Sequence, residues 1–153
     1  MKKIVQQDDP VLRKIAEPIA ILDITKESTQ TIIKQMFESL AAPQIGYSKR
    51  IFVVSAHVLE ANPSVPLIYI NPEIIKHSKD KKNMEEGCLS CRWWYGKTKR
   101  ASHVVVKAFD EHGKGFTQEA RGLLAQIFQH EIDHLNGILF IDHAKNLTET
   151  SAE

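Results

Sequence analysis

His130-Glu131-Ile132-Asp133-His134 sets two imidazoles four residues apart, with a carboxylate directly after the first. On a helix, positions i and i+4 share a face, so both rings can aim at one metal ion. Glu131 then stands within reach of a water activated by that ion, as its general base. Two histidines on a polar helix face would give the same letters. The preceding residues, Leu123-Leu124-Ala125-Gln126-Ile127-Phe128, are however apolar around much of the helical circumference and mark a buried helix. Imidazoles and a carboxylate within such a helix are costly unless a ligand satisfies them.

A metal ion needs a further protein ligand. Zinc proteases that extend the pattern to a third histidine would need it where Phe140 stands, and those using a downstream glutamate would be left with Glu149 or Glu153. His143 falls at neither spacing. The better candidate is Cys88 in Glu86-Gly87-Cys88-Leu89-Ser90. A thiolate and two imidazoles leave a fourth position open, the pattern of a catalytic rather than a structural site. Cys91 completes a C-x-x-C and could close a four-ligand Cys2His2 structural site with His130 and His134. The long spacer is unlike a compact zinc finger, and closure would leave Glu131 without a role. A thioredoxin-type redox pair would need a βαβ context that this sequence lacks.

The elements that must position these residues are only partly regular in pattern. Residues 11–16, after Pro10, suit one or two helical turns. Asp23 or Thr25 could cap a helix carrying Ile32, Ile33, Met36, Phe37 and Leu40, which must end before Pro43. Residues 50–55 and 66–70 read as strands, 73–76 as another, and 79–83 as a charged turn. Residues 102–109 and 114–120 form a hairpin about Asp110-Glu111-His112-Gly113, and the metal-motif helix runs from Gly122 to a stop at Asn136-Gly137. Strands first and a buried helix late predict an α+β fold, antiparallel sheets packed around that central helix. The 153 residues, without a repeat or linker, predict a single domain over residues 1–153. Twenty basic against nineteen acidic groups give a net charge of +1, which supplies no case for nucleic-acid or anionic-membrane binding. No signal-peptide pattern or spanning segment is visible, so a cytoplasmic address is expected.

Three segments occur in order: Leu40-Ala41-Ala42-Pro43-Gln44-Ile45-Gly46, Glu86-Gly87-Cys88-Leu89-Ser90 and Gln129-His130-Glu131-Ile132-Asp133-His134-Leu135. They resemble the signature motifs of the peptide deformylases, G-x-G-x-A-A-x-Q, E-G-C-x-S and Q-H-E-x-D-H-L. The resemblance extends through Asp9-Pro10-Val11-Leu12-Arg13 and Gly137-Ile138-Leu139-Phe140, most of the chain. It implies a metal-dependent hydrolase that removes the formyl group of formylmethionine from newly synthesised polypeptides, at the ribosome, as a monomer. It implies Cys88, His130 and His134 as ligands of one divalent ion, Fe(II) foremost, with Zn or Ni able to occupy the site. Glu131 is implied as general acid/base, and Gln44 with the backbone N–H of Leu89 as donors to the developing oxyanion. Arg100 fills a position commonly arginine in the family and is a candidate for contact with the substrate backbone. Ile127 is a candidate for the methionine side-chain pocket. The alternatives are an HExxH metallopeptidase or a non-catalytic domain with a structural Cys2His2 site.

The chain departs from the family pattern in two places. Phe37 and Ser39 stand where the leading motif has glycines, and the stretch from Met36 to Leu40 is several residues shorter than the family norm. Of a remodelled binding edge and a sequence lacking loop residues before Leu40, the second is the expectation, and the intact mass decides it. After Ser90, where the family usually places an aliphatic residue and proline, this chain has Cys91-Arg92-Trp93-Trp94. Tandem tryptophans most often pack or form interfaces, and here they could also rim the peptide-binding groove.

Overall fold

The computed structural model describes residues 3–36, 40–60 and 63–150, so Phe37 and Ser39 lie outside the described residues. Among the described residues, eight strands and two α-helices are arranged as an α+β fold, as expected. Strands β1 (Leu40–Ala41), β2 (Ile51–Val53), β3 (Ile68–His77), β6 (His103–Phe109) and β7 (Gly115–Arg121) form one antiparallel sheet in the order β1-β2-β3-β6-β7. Strands β4 (Lys81–Gly87), β5 (Trp94–Ala101) and β8 (Lys145–Glu149) form a second, in the order β4-β5-β8. Helix α1 covers Glu27–Lys34, and α2, Gly122–Leu135, carries the metal motif. No helix among the described residues is long and apolar enough to cross a membrane.

The core joins α2 to the larger sheet. Ala125, Phe128, Ile132 and Leu135 pack with Phe52, Tyr69, Val104 and Val106 in one buried cluster. Phe52 and Tyr69 stack at 4.6 Å and Phe128 tilts onto both, so three aromatic rings seat the helix. Burying each such ring is worth on the order of 2–3 kcal/mol.

Several expectations need correction. The first helix stops at Lys34, and Lys26, not Asp23 or Thr25, precedes it without a side-chain cap. Leu40 is drawn into β1 opposite Val53, where cross-strand pairing outweighs the helical spacing of residues 32–40. Residues 68–70 and 73–76 belong to one strand. Asn71 takes φ +51° at the irregularity, its side chain bonding Ile19 N–H (2.8 Å) and C=O (2.7 Å), so that Pro72 sits at a bulge. The charged run 79–83 is a turn only as far as Asp80, since Lys81 opens β4. β4, β5 and β8 were not legible because their outward residues are polar and give no alternating apolar pattern. The hairpin at 110–113 and the helix stop are as expected. Gly137 takes φ +76°, and a Cβ there would lie 2.7 Å from Arg13 O, so no side chain fits.

Candidate metal centre

Cys88 follows directly on the end of β4, and His130 and His134 lie one turn apart on α2. Their ligand atoms lie within 4.8 Å of one another, the one such group of three among the described residues. Cys88 Sγ is 3.2 Å from His134 Nε2, which is 3.2 Å from His130 Nε2. Tetrahedral bond lengths of about 2.0–2.3 Å set neighbouring donor atoms roughly 3.3–3.6 Å apart, so these separations fit a divalent cation among the three. Cys91 is not in the group. It is fully buried with Leu12, Leu139 and Phe140, and its sulfur is not among the ligand atoms brought together.

Each ring is prepared differently. His130 Nδ1 is 2.8 Å from Glu86 Oε2, which fixes the proton on Nδ1 and leaves Nε2 facing the cluster. Burial opposes charge on His130, but the bond to Glu86 prevails and raises its pKa. A cation would take the place of that charge at Nε2. Burial holds His134 well below the usual imidazole range, so it stays neutral with a lone pair available, although its Nδ1 has no partner among the described residues. Hydrogen bonding to Cys91, then burial, keep the Cys88 thiol well above its ordinary range. A divalent cation reverses that preference, because it stabilises the thiolate directly.

Glu131 is 2% exposed, its Oε1 is 3.6 Å from His130 Nε2, and Oε2 has no partner among the described residues. Burial pushes its carboxyl up to about 7. Gln44 lies in the turn after β1. Its Oε1 accepts Ala41 N–H at 2.8 Å, which leaves Nε2 pointing to Ser90 Oγ (3.2 Å) and Cys88 Sγ (3.6 Å). Gln44, Leu89, Ile127, His130 and Glu131 all line one hollow of about 280 Å³, with exposed Leu123 at its rim. The N-terminal segment fastens two of these groups. Val5 N–H donates to Gln44 O (2.8 Å) and Gln6 Nε2 to Leu89 O (3.0 Å).

Arg100 has a different place from the one its family position suggests. It is 5% exposed, behind the centre, with Nε and Nη2 on Glu86 (3.0 and 2.6 Å) and Nη1 on Asp133 (2.7 Å). All three guanidinium nitrogens are engaged inside the protein, so its geometry is that of a support for Glu86 rather than of a substrate contact. Glu86 itself receives no role from sequence position alone, yet it joins Arg100, His130, Thr98 and Gln126. The signal was a polar stripe on an apolar helix. Gln126, Gln129, His130 and Asp133 stand at i, i+3, i+4 and i+7, and Gln129 bonds both N–H and C=O of Ala101 at 2.9 Å as a neighbouring strand would.

The family model described as "Polypeptide deformylase" matches residues 1–150. The peptide deformylase of Halothermothrix orenii is 47% identical over 148 residues, covering 92% of each chain. That of Rhizobium meliloti is 38% identical over 152 residues, 96% of this chain and 87% of the relative. Among solved structures, a peptide deformylase from Legionella pneumophila superimposes with a TM-score of 0.83 at 41% identity, over 95% of this chain and 87% of that one. One from Synechococcus elongatus in complex with actinonin has the same TM-score at 36% identity, over 95% and 81%. The fold and centre define a metallohydrolase. The chain belongs to the polypeptide deformylase family.

Proposed function

We propose that this chain hydrolyses the N-formyl amide of newly synthesised polypeptides that begin with formylmethionine, using one divalent ion held by Cys88, His130 and His134. The observation that carries the reading is the convergence of those three ligand atoms beside a hollow that Cys88 and His130 line together with Glu131 and Gln44. Fe(II) is the ion we assign, with Zn or Ni as competent substitutes; thiolate and imidazole suit each of them. When bound, the ion acts as a Lewis acid that brings the pKa of water toward neutrality.

Glu131 takes the proton of the attacking water, and its buried position keeps it able to hold that proton at neutral pH. Gln44 Nε2 and the Leu89 N–H donate to the carbonyl oxygen as negative charge develops, each good donor contributing about 3 kcal/mol. Glu131 then returns the proton to the departing amine, giving formate and a free N-terminus. Ile127, with Leu123, offers the apolar wall against which a methionine side chain packs. Glu86, held by Arg100, keeps His130 oriented toward the ion. With this reading go a single domain over residues 1–153, a monomer, a cytoplasmic address and transient work at the ribosome.

The test is anaerobic purification, metal stoichiometry and formate release from a formyl-Met peptide. Wild type is expected to bind one ion and release formate, Cys88→Ala to lose the ion, and Cys91→Ser to keep both ion and activity. Metal loss in Cys91→Ser with no formate from wild type would restore the structural Cys2His2 reading. Cleavage of an internal peptide bond without deformylation would make the chain a metallopeptidase.

A further inference from the structure

Cys91 is a nucleophile that the proposed reaction does not use. The chain turns back between it and the proposed ligand: Cys91 N–H donates to Cys88 O at 3.0 Å. Such a turn holds its first and fourth Cα atoms within about 7 Å. A disulfide spans Cα separations of about 4.4–6.8 Å. Both cysteines line a second hollow of about 520 Å³, shared with Arg92, Trp93 and Trp94 and adjoining the one that holds Glu131. Cys88 is half-buried and Cys91 has no exposed surface, so an oxidant entering from solvent meets Cys88 first.

We propose that Cys88 and Cys91 form a reversible disulfide, a modification site at which a hydroperoxide competes with the metal ion for the Cys88 sulfur. The proposal rests on Cys88 being a metal ligand. The Cys88 thiolate attacks a peroxide oxygen, the O–O bond breaks, and Cys88 becomes a sulfenic acid as hydroxide or alkoxide leaves and takes a proton from solvent to become water or alcohol. Cys91 Sγ then attacks the sulfenic sulfur. The S–S bond forms, the S–O bond breaks, and the departing hydroxide takes the Cys91 proton to give a second water. Two thiols lose two electrons and the peroxide gains them. The ligand set loses its negatively charged member, and with it the ion. A dithiol returns two electrons and two protons and restores the ligand. Without Cys91, the sulfenic acid has no resolving thiol among the described residues, and a second peroxide, itself reduced to water or alcohol, oxidises it to sulfinic acid, which a dithiol does not reverse.

The full chain is loaded with zinc, which has no redox chemistry of its own, and treated with a several-fold excess of hydrogen peroxide. Intact mass and a chromophoric zinc indicator report the outcome before and after dithiothreitol. Wild type is expected to lose two hydrogens and its zinc together, and to recover both after reduction and zinc addition. Cys91→Val keeps an apolar side chain, and Cys91→Ser keeps the size, so a packing defect in one is exposed by the other. Both are expected to bind zinc as wild type does, to show no loss of two hydrogens, and to gain oxygen irreversibly. Oxygen addition without a disulfide in wild type, or dithiol-reversible zinc release in both variants, would overturn the proposal alone. Zinc retained by Cys88→Ala before any oxidant would overturn the reading of the centre as well.

Discussion

Glu131 and Gln44 occupy the same hollow but are prepared for different work. Glu131 has one carboxylate oxygen without a partner among the described residues, and burial raises its carboxyl to about 7, which suits the proton exchange proposed for it. Glu131→Gln keeps the shape and removes that exchange. It is expected to lower kcat by roughly 10²–10⁴-fold with metal content unchanged, measured by formate release beside metal analysis. Gln44→Leu removes a donor that strengthens as charge develops, and is expected to lower kcat by roughly 10²–10³-fold while KM changes little. At this scale much was legible. The histidine spacing and the cysteine beside a glycine stand in the sequence as local patterns. What was not legible is the wiring of Glu86, because its partners Arg100, His130 and Gln126 come from two other elements. Arg100 likewise read as a substrate contact until its three nitrogens were found engaged inside.

Between elements, the Glu86–Arg100–Asp133 group joins β4, β5 and α2 where all three meet the ligands. The side chains of Glu86 and Arg100 are 4% and 5% exposed, so each depends on the other for the solvation it has lost. Arg100→Met is expected to destabilise the protein by about 3–5 kcal/mol in urea unfolding, since the buried Glu86 loses its bidentate guanidinium partner and keeps only Thr98, Gln126 and His130. It is also expected to weaken metal retention, because Glu86 then ceases to orient His130. Elements with a strong pattern, α2 and the β6–β7 hairpin, were visible in the sequence. β1 and β8 were not, since two residues at a sheet edge and five exposed ones carry no periodic signal. The end of α1 was misplaced for a related reason: Leu40 keeps helical spacing but finds its partner, Val53, across a sheet.

The N-terminal turn is fastened to the segment after α2 by a two-pronged contact, Arg13 to Asp142 at 2.6 and 3.0 Å. The Arg13 guanidinium holds the Asp142 carboxyl below its usual range. A depressed carboxylate adds stability above its unfolded value of about 3.9, and that stability is lost as pH falls through the lower folded value. Both side chains are partly open to solvent, so the contribution is expected to be below about 1 kcal/mol. Urea titrations of wild type and Asp142→Asn are therefore expected to differ slightly near pH 7 and to converge in strong acid. A difference that grew as the pH fell would contradict this assignment.

The proposed ligands are divided between layers, Cys88 following a strand of the small sheet and His130 and His134 on the helix seated against the large one. An ion bound there is thus also a cross-link, closing the whole stretch of chain between residues 88 and 130 into a loop. Constraining a loop of that length removes entropy from the unfolded ensemble, as a covalent bridge does. Removing the ion from the folded protein should therefore loosen the seam between the layers before it loosens either layer. Amide hydrogen exchange is expected to quicken first at β4 and in residues 88–91, with the interior of β3 and β6 protected as before. Uniform acceleration across both sheets would mean that the ion holds the molecule as one block instead.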